Sequence, residues 1–282
     1  MSEIENIAKQ ILAKGKGILA ADESTGTMTK RLTSVNVLST VENRLKFRET
    51  LFSAEGIKNF IGGVILYDET IKQKTSSGKT IPELIKSFGS IPGIKVDTGT
   101  KKLADSPEEK VTEGLDGLRE RLSEYFKLGA RFTKWRAVYN ISEKHPSELA
   151  IKSNAQALAK YAALVQEAKM VPIVEPEVLM DGEHDINKCY EVSTRVLREC
   201  YKELNVHNVN LKGTILKPNM ILPGNKSKNK SNCSEIAKMT LECLKENVPS
   251  DVPGIAFLSG GQTEVEATQN LNEINKINDT SF

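Results

Sequence analysis

Seven short apolar runs, most of them closed by polar residues and separated by segments of three-four hydrophobic spacing, restrict this 282-residue chain to few architectures. The runs are "GILAADE" (17–23), "GGVILYDE" (62–69), "GIKVD" (93–97), "FTKWRAV" (132–138), "VPIVEPEV" (171–178), "TILKP" (214–218) and "GIAFLSGG" (254–261). Helical patterns fall between them, with Leu115, Leu118, Leu122 and Phe126 in one and Ala155, Leu158, Ala162 and Val165 in another. A third opens on the capping-box pair Thr263 and Glu266 and continues through Leu271 and Ile274. Apolar strands alternating with helices predict a parallel sheet covered by helices. No low-complexity linker divides the pattern, so residues 1–282 are read as one domain.

On pattern alone, a doubly wound sheet and a closed (β/α) barrel both satisfy this alternation. The polar residues separate them. The first strand ends at Asp22 and Glu23 and the second at Asp68 and Glu69; the third carries Lys95 and Asp97, the fourth Lys134 and Arg136. The fifth carries Glu175 and Glu177, the sixth ends with Lys217, and the seventh delivers Ser259, Gly260 and Gly261. Charges near the C-terminal ends of several different strands are the mark of a barrel enzyme. At 134/136 and 175/177 they recur with period two, so each pair projects from one side of its strand. Inside a barrel that side is the interior, where polar groups are costly unless they form a site.

Several function classes are disfavoured. Lysine and arginine number 39 against 37 acidic residues, too even a balance for strong attraction to nucleic acid. The basic "KSKNKSN" (226–232) has no interleaved aromatics and reads as a solvated loop. "MSEIENIAKQILAKG" reads as an amphipathic helix with Ile4, Ile7, Ile11 and Leu12 on one side, not a secretory signal. No run is long enough to span a membrane. Cys189, Cys200, Cys233 and Cys243 form no CxxC pair, and a reduced, cytosolic setting fits them best. With only His145, His184 and His207, no metal-ligand spacing emerges; "DGEHD" (181–185) reads as the cap of a helix starting near Ile186. No metal and no cofactor are expected.

Lys217 is the most informative single residue. A strand directed at the core ends in an amine and is stopped at once by Pro218 and Asn219. A lysine becomes a nucleophile toward ketones when burial or a neighbouring cation lowers its pKa. Lys134 is expected to share the same mouth, the two charges opposing each other. Glu175 and Glu177 can move protons for carbinolamine formation and dehydration, and Asp22 can take one from a substrate hydroxyl. Ser259, Gly260 and Gly261 form a strand-to-helix turn whose N–H groups suit a phosphate, with Arg31, Lys95 and Arg136 adding positive charge. Each piece alone is commonplace, since a strand-end lysine usually reaches solvent and glycine-rich turns occur in many folds. Their coincidence points to a Schiff-base carbon–carbon lyase.

The motifs "GILAADESTGTMTKRL", "IGGVILYDET", "PGIKVDTG", "KWRAV", "MVPIVEPEVLMDGEHD", "GTILKPNM" and "FLSGGQTEVEAT" resemble class I fructose-1,6-bisphosphate aldolase, in its order and spacing, from about residue 5 to about residue 276. The resemblance implies a (β/α)8 barrel, a homotetramer, a cytoplasmic setting and a phosphorylated sugar substrate. Lys217 matches the Schiff-base lysine, Glu175 the proton acceptor and Glu177 its partner. Lys134 and Arg136 match residues that polarise the intermediate and bind substrate, and Asp22 the residue linked to C–C cleavage. Ser24, Thr27, Arg31 and Lys95 match one phosphate site; Ser259, Gly260 and Gly261 match the other. After "NLNEINK" the family continues with an eighth strand carrying a phosphate-binding arginine, a closing helix and a Tyr-ended tail. "INDTSF" does not resemble that segment, so the expected barrel shows seven strands with the eighth and the tail missing. Another lysine Schiff-base enzyme, such as a transaldolase, and a catalytically impaired aldolase-like interaction protein are the alternatives.

Overall fold

Ser2 and Glu5 cap each other's backbone and start helix α1 (Glu3–Ile11), which buries Ile7, Ala8 and Ile11. The computed structural model describes residues 2–279; Met1 and 280–282, the last three of "INDTSF", lie outside the described residues. After α1 come β1 (Gly17–Ala21), α2 (Thr25–Ser34), α3 (Val41–Phe52), α4 (Ile57–Phe60), β2 (Ile61–Leu66), α5 (Asp68–Ile71), α6 (Ile81–Ser87) and β3 (Ile91–Lys95). A hairpin, β4 (Gly99–Leu103) and β5 (Ser106–Glu113), precedes α7 (Leu118–Leu128), β6 (Phe132–Tyr139), α8 (Glu148–Glu167), β7 (Val171–Val178) and α9 (Ile186–Val206). The short β8 (Ile215–Leu216), α10 (Cys233–Asn247) and α11 (Glu264–Ile277) complete the chain.

Six strands form one parallel sheet in the order β1-β2-β3-β6-β7-β8, as helical crossovers between neighbours require. The expected seventh strand is corrected: the 254–261 run contributes one bridge, Leu216 to Ile255. Its partner β8 is two residues long because Pro218, lacking an N–H, ends the ladder. The antiparallel β4–β5 hairpin, absent from the sequence reading, forms a separate two-stranded sheet, tied to β6 by Thr112 Oγ1 donating to the Arg136 carbonyl at 2.7 Å.

Period two assigns the faces. Trp135, Ala137, Val174, Val178 and Leu216 join the large core beneath the helices. On the opposite face Ile65, Phe132, Ile173 and Ile215 meet Ile7, Ala8 and Ile11, so α1 covers the N-terminal ends of the strands. Following that inner face toward the C-terminal ends, Ile18 leads to Asp22, Phe132 to Lys134 and Arg136, Ile173 to Glu175 and Glu177, and Ile215 to Lys217. One face is therefore apolar at its floor and charged at its mouth. Two glycines permit the floor to close. A Cβ on Gly62 would lie 2.1 Å from the Ile11 carbonyl oxygen, and one on Gly93 2.3 Å from the Phe132 ring.

The helical expectations are met except at Leu115, which precedes the Gly117 N-cap of α7. Thr263 and Glu266 form the capping box of α11, and Asp185 caps α9 by accepting from the Lys188 N–H. Cys189 and Cys200 are buried on α9, and "KSKNKSN" is a loop. None of the described helices is long and apolar enough to cross a membrane.

Candidate active site

Asp22, Lys134, Glu175 and Lys217, from four different strand ends, form a row of alternating charge. Lys134 Nζ lies 2.7 Å from Asp22 Oδ2 and 3.3 Å from Glu175 Oε2, and Lys217 Nζ donates to Glu175 Oε1. The β6–β7 register, Lys134 beside Ile173 and Arg136 beside Glu175, sets this spacing. The expected opposition between the two lysines is corrected, because the Glu175 carboxylate stands between them. Burial pulls the Lys134 ammonium down, but Glu175, Asp22 and Asp97 outweigh it and hold its pKa above the ordinary 10.5. Burial likewise pushes Asp22 up, yet Lys134, with help from Lys217 and Lys95, keeps that carboxyl below the usual 3.8.

The "LKPN" stretch works as a unit. Lys217 N–H donates to the Val174 carbonyl at 2.8 Å, the last ladder bond before Pro218 ends the strand. Asn219 turns inward; its Oδ1 accepts from Val178 N–H at 2.9 Å and its Nδ2 donates to the Met220 carbonyl at 3.0 Å. Asn219 thus stitches the end of β7 to the strand bearing Lys217. The sequence marks Asn219 only as a strand stop; its place two residues after the lysine is the signal for this second role.

Beside the row lies a cavity of about 450 Å³, lined by Asp22, Ser24, Thr27, Arg31, Lys95, Lys134 and Arg136 among others. Seven sequence-predicted residues are brought together there. Ser24, the N-cap of α2, Thr27 and Arg31 share one face of that helix, at spacings of three and four. Asp97 positions Lys95: its Oδ1 accepts from Lys95 Nζ and from Gly99 N–H at 3.1 Å.

Other predicted residues sit differently. Glu177 is buried and accepts from Arg136 Nε, so it serves the guanidinium rather than pairing with Glu175. Arg31 is bonded to Glu23. Ser259, Gly260 and Gly261 do not line the 450 Å³ cavity but adjoin the lysine strand, since Leu258 N–H donates to the Pro218 carbonyl at 3.1 Å. Gly260 and Gly261 hold φ of 63° and 93°, values open to glycine, which shape the turn. The first turn of α11 carries Glu264 and Glu266, whose charges already answer the helix dipole. An anion at this turn would therefore rest on its backbone N–H groups. Asp68 and Glu69 stay outside the site, bonded to Tyr125 at 2.8 Å and to Arg44. No cluster of histidine, cysteine or carboxylate ligands suited to a metal occurs among the described residues.

A carboxylate touching two ammonium groups can take a proton from one while the other keeps its charge. That is the arrangement an amine needs to attack a carbonyl at neutral pH.

Comparison with known proteins agrees with this chemistry. A family model described as fructose-bisphosphate aldolase class-I matches residues 3–281. Fructose-bisphosphate aldolase 4, cytosolic, of Arabidopsis thaliana is 54% identical over 96% of this chain and 69% of its own length. A probable fructose-bisphosphate aldolase class 1 of Xylella fastidiosa is 50% identical over 98% of this chain and 83% of its own. The solved structure of fructose-bisphosphate aldolase from Plasmodium falciparum, in complex with TRAP and a small-molecule inhibitor, superposes with a TM-score of 0.98 at 44% identity. It covers 99% of this chain and 81% of that one.

Proposed function

The chain belongs to the class-I fructose-bisphosphate aldolases, and from that premise we propose that it cleaves fructose 1,6-bisphosphate to dihydroxyacetone phosphate and glyceraldehyde 3-phosphate through a Schiff base on Lys217. The observation that carries the reading is the contact of Lys217 Nζ with Glu175, itself 3.3 Å from Lys134. Glu175 takes a proton from Lys217, and the free amine attacks the C2 carbonyl. Glu175 then returns a proton to the carbinolamine hydroxyl, water leaves, and the iminium forms. Asp22, held ionised by Lys134, accepts the proton of the C4 hydroxyl. The C3–C4 bond breaks, its electrons pass into the iminium to give an enamine, and the aldehyde departs. Protonation and hydrolysis release the ketone phosphate and restore Lys217.

Ser24, Thr27, Arg31 and Lys95 hold one phosphate in this reading, and Ser259, Gly260 and Gly261 the other, with Arg136 oriented by Glu177. The parallel strand order, the covering helices and the Leu216–Ile255 bridge support a (β/α)8 barrel, and 1–282 is read as a single domain of it. A homotetramer and a cytosolic setting complete the proposal, the latter supported by the name of the Arabidopsis relative.

Borohydride trapping tests it. Incubation with dihydroxyacetone phosphate and borohydride is expected to leave a reduced three-carbon adduct on Lys217, located by peptide mass. Adduct on Lys134 instead, or undiminished labelling of Lys217→Ala, refutes the assignment. Absence of any adduct on a folded chain favours the non-catalytic alternative.

A further inference from the structure

We propose that Glu23 is a resident competitor for phosphate: its carboxylate holds Arg31 until phosphate enters the cavity, yields it to the incoming phosphate, and falls back on Arg48. The idea rests on the reading of this cavity as a phosphate site and assigns the exchange to a residue given no role so far.

Five side chains form a row running inward from the cavity mouth. Arg31, with 58% of its side chain exposed, is bonded to Glu23 Oε1. Glu23, only 10% exposed, lines the cavity, and its Oε2 lies 3.7 Å from Arg48 Nη2. Arg48 is fully buried; it donates to the Glu23 carbonyl at 2.6 Å and to Thr70 Oγ1 at 2.7 Å, and its Nη1 lies 3.9 Å from Glu69. Glu69 in turn holds Arg44 through Nε at 2.9 Å. Three guanidinium groups face two carboxylates, so the row keeps one positive charge in excess.

Two loose ends make the exchange feasible. Glu23 Oε2 and Arg48 Nε are buried and have no hydrogen-bond partner among the described residues. The carboxylate therefore has an unused acceptor, and the guanidinium beside it an unused donor. When phosphate draws Arg31 away, Glu23 loses one partner but is not left uncompensated, because Arg48 is already in place. A buried carboxylate lacking such a second cation would resist the loss. On phosphate departure Glu23 recaptures Arg31, which favours release of a phosphorylated product.

Calorimetric titration of the full chain with inorganic phosphate reads the exchange without any turnover. Glu23→Gln removes the competing charge and is expected to tighten phosphate about two- to tenfold. Glu23→Asp keeps a carboxylate near Arg48 but withdraws it from Arg31, and should tighten phosphate in the same direction. This variant decides the matter should Glu23→Gln not fold. On an Arg31→Ala background neither substitution should tighten phosphate. In turnover both KM and kcat should fall for the Glu23 variants, a joint change that general destabilisation does not produce. Phosphate affinity that is unchanged or weaker in folded Glu23 variants overturns the exchange alone, as does tightening that persists without Arg31. Absence of phosphate binding by the parent chain overturns the phosphate-site reading and the exchange with it.

Discussion

Glu175 sets one carboxylate oxygen against the Lys217 amine and the other 3.3 Å from the Lys134 amine, so a single side chain on β7 separates two ammonium groups carried by the strands on either side of it. Glu175→Gln preserves shape and one acceptor while removing the proton carrier and the charge. Turnover is expected to fall by ~10²-fold or more, with little change in affinity for the bisphosphate. Steady-state kinetics beside equilibrium binding separate the two. A large loss of binding at near-normal turnover would show Glu175 to be architectural.

The Lys134–Asp22 pair has a predictable pH signature. The folded pKa of Lys134 lies above 10.5, so its stabilising contribution is complete below pH 10.5 and lost as pH rises through the folded value. Asp22 lies below 3.8, so its contribution is complete above pH 3.8 and lost as pH falls through its folded value. Lys134→Met strands a largely buried carboxylate and should destabilise the chain by about 3 kcal/mol near neutrality. Urea titrations of the parent and Lys134→Met should differ by a constant amount from about pH 5 to about pH 9 and converge only outside it. Convergence already complete at pH 9 would refute the raised lysine.

Thiol accessibility follows from burial. Cys189, Cys200 and Cys243 are buried, and burial pushes their thiols up to about 11, about 12 and about 11. Cys233, at the first turn of α10, is partly exposed. An aromatic disulfide reagent at pH 8 is expected to modify Cys233 rapidly and the other three only on unfolding. The fast phase should vanish in Cys233→Ser; its survival would mean that a buried thiol opens readily.

How much of this was legible depended on whether one strand carried its own signal. β7 was read at the bounds it adopts because "VPIVEPEV" is buried along its whole length and interrupted by nothing polar except its two glutamates. Lys217 and Glu175 were legible for a related reason, since a charge in phase with buried isoleucines has few structural excuses. The β4–β5 hairpin left no such trace. Lys101, Lys102 and Glu108 are exposed, and a solvated ribbon resembles a loop in composition. Partner choice was equally hidden. Glu177 goes to Arg136 and Glu69 to Arg44 through distances that only the assembled fold creates. Asp68 and Glu69 looked equivalent to Asp22 and Glu23 because periodicity loses its meaning once the chain leaves the ladder, and α5 carries them to other partners, Asp68 to Tyr125 and Glu69 to Arg44. The 254–261 run shows the converse, a β-like composition whose two-residue partner strand allows it a single bridge.

Gly62 and Gly93 differ in what blocks a side chain, and that difference predicts which substitution can be rescued. Alanine at either site introduces a Cβ into filled space, 2.1 Å from the Ile11 carbonyl oxygen for Gly62 and 2.3 Å from the Phe132 ring for Gly93. Each should cost roughly 1–3 kcal/mol as overpacking. The Phe132 obstacle is a side chain and can be removed. Phe132→Leu should therefore recover part of the Gly93→Ala loss, with a coupling of about 1 kcal/mol in a double-mutant cycle. The Ile11 obstacle is backbone, so Ile11→Ala should not rescue Gly62→Ala; α1 must instead lift from the floor it closes. Amide hydrogen exchange is expected to show α1 deprotected in Gly62→Ala and unaffected in Gly93→Ala. Full rescue of Gly62→Ala by Ile11→Ala, or an α1 as protected as in the parent, would show that the helix is not held at the distance seen here.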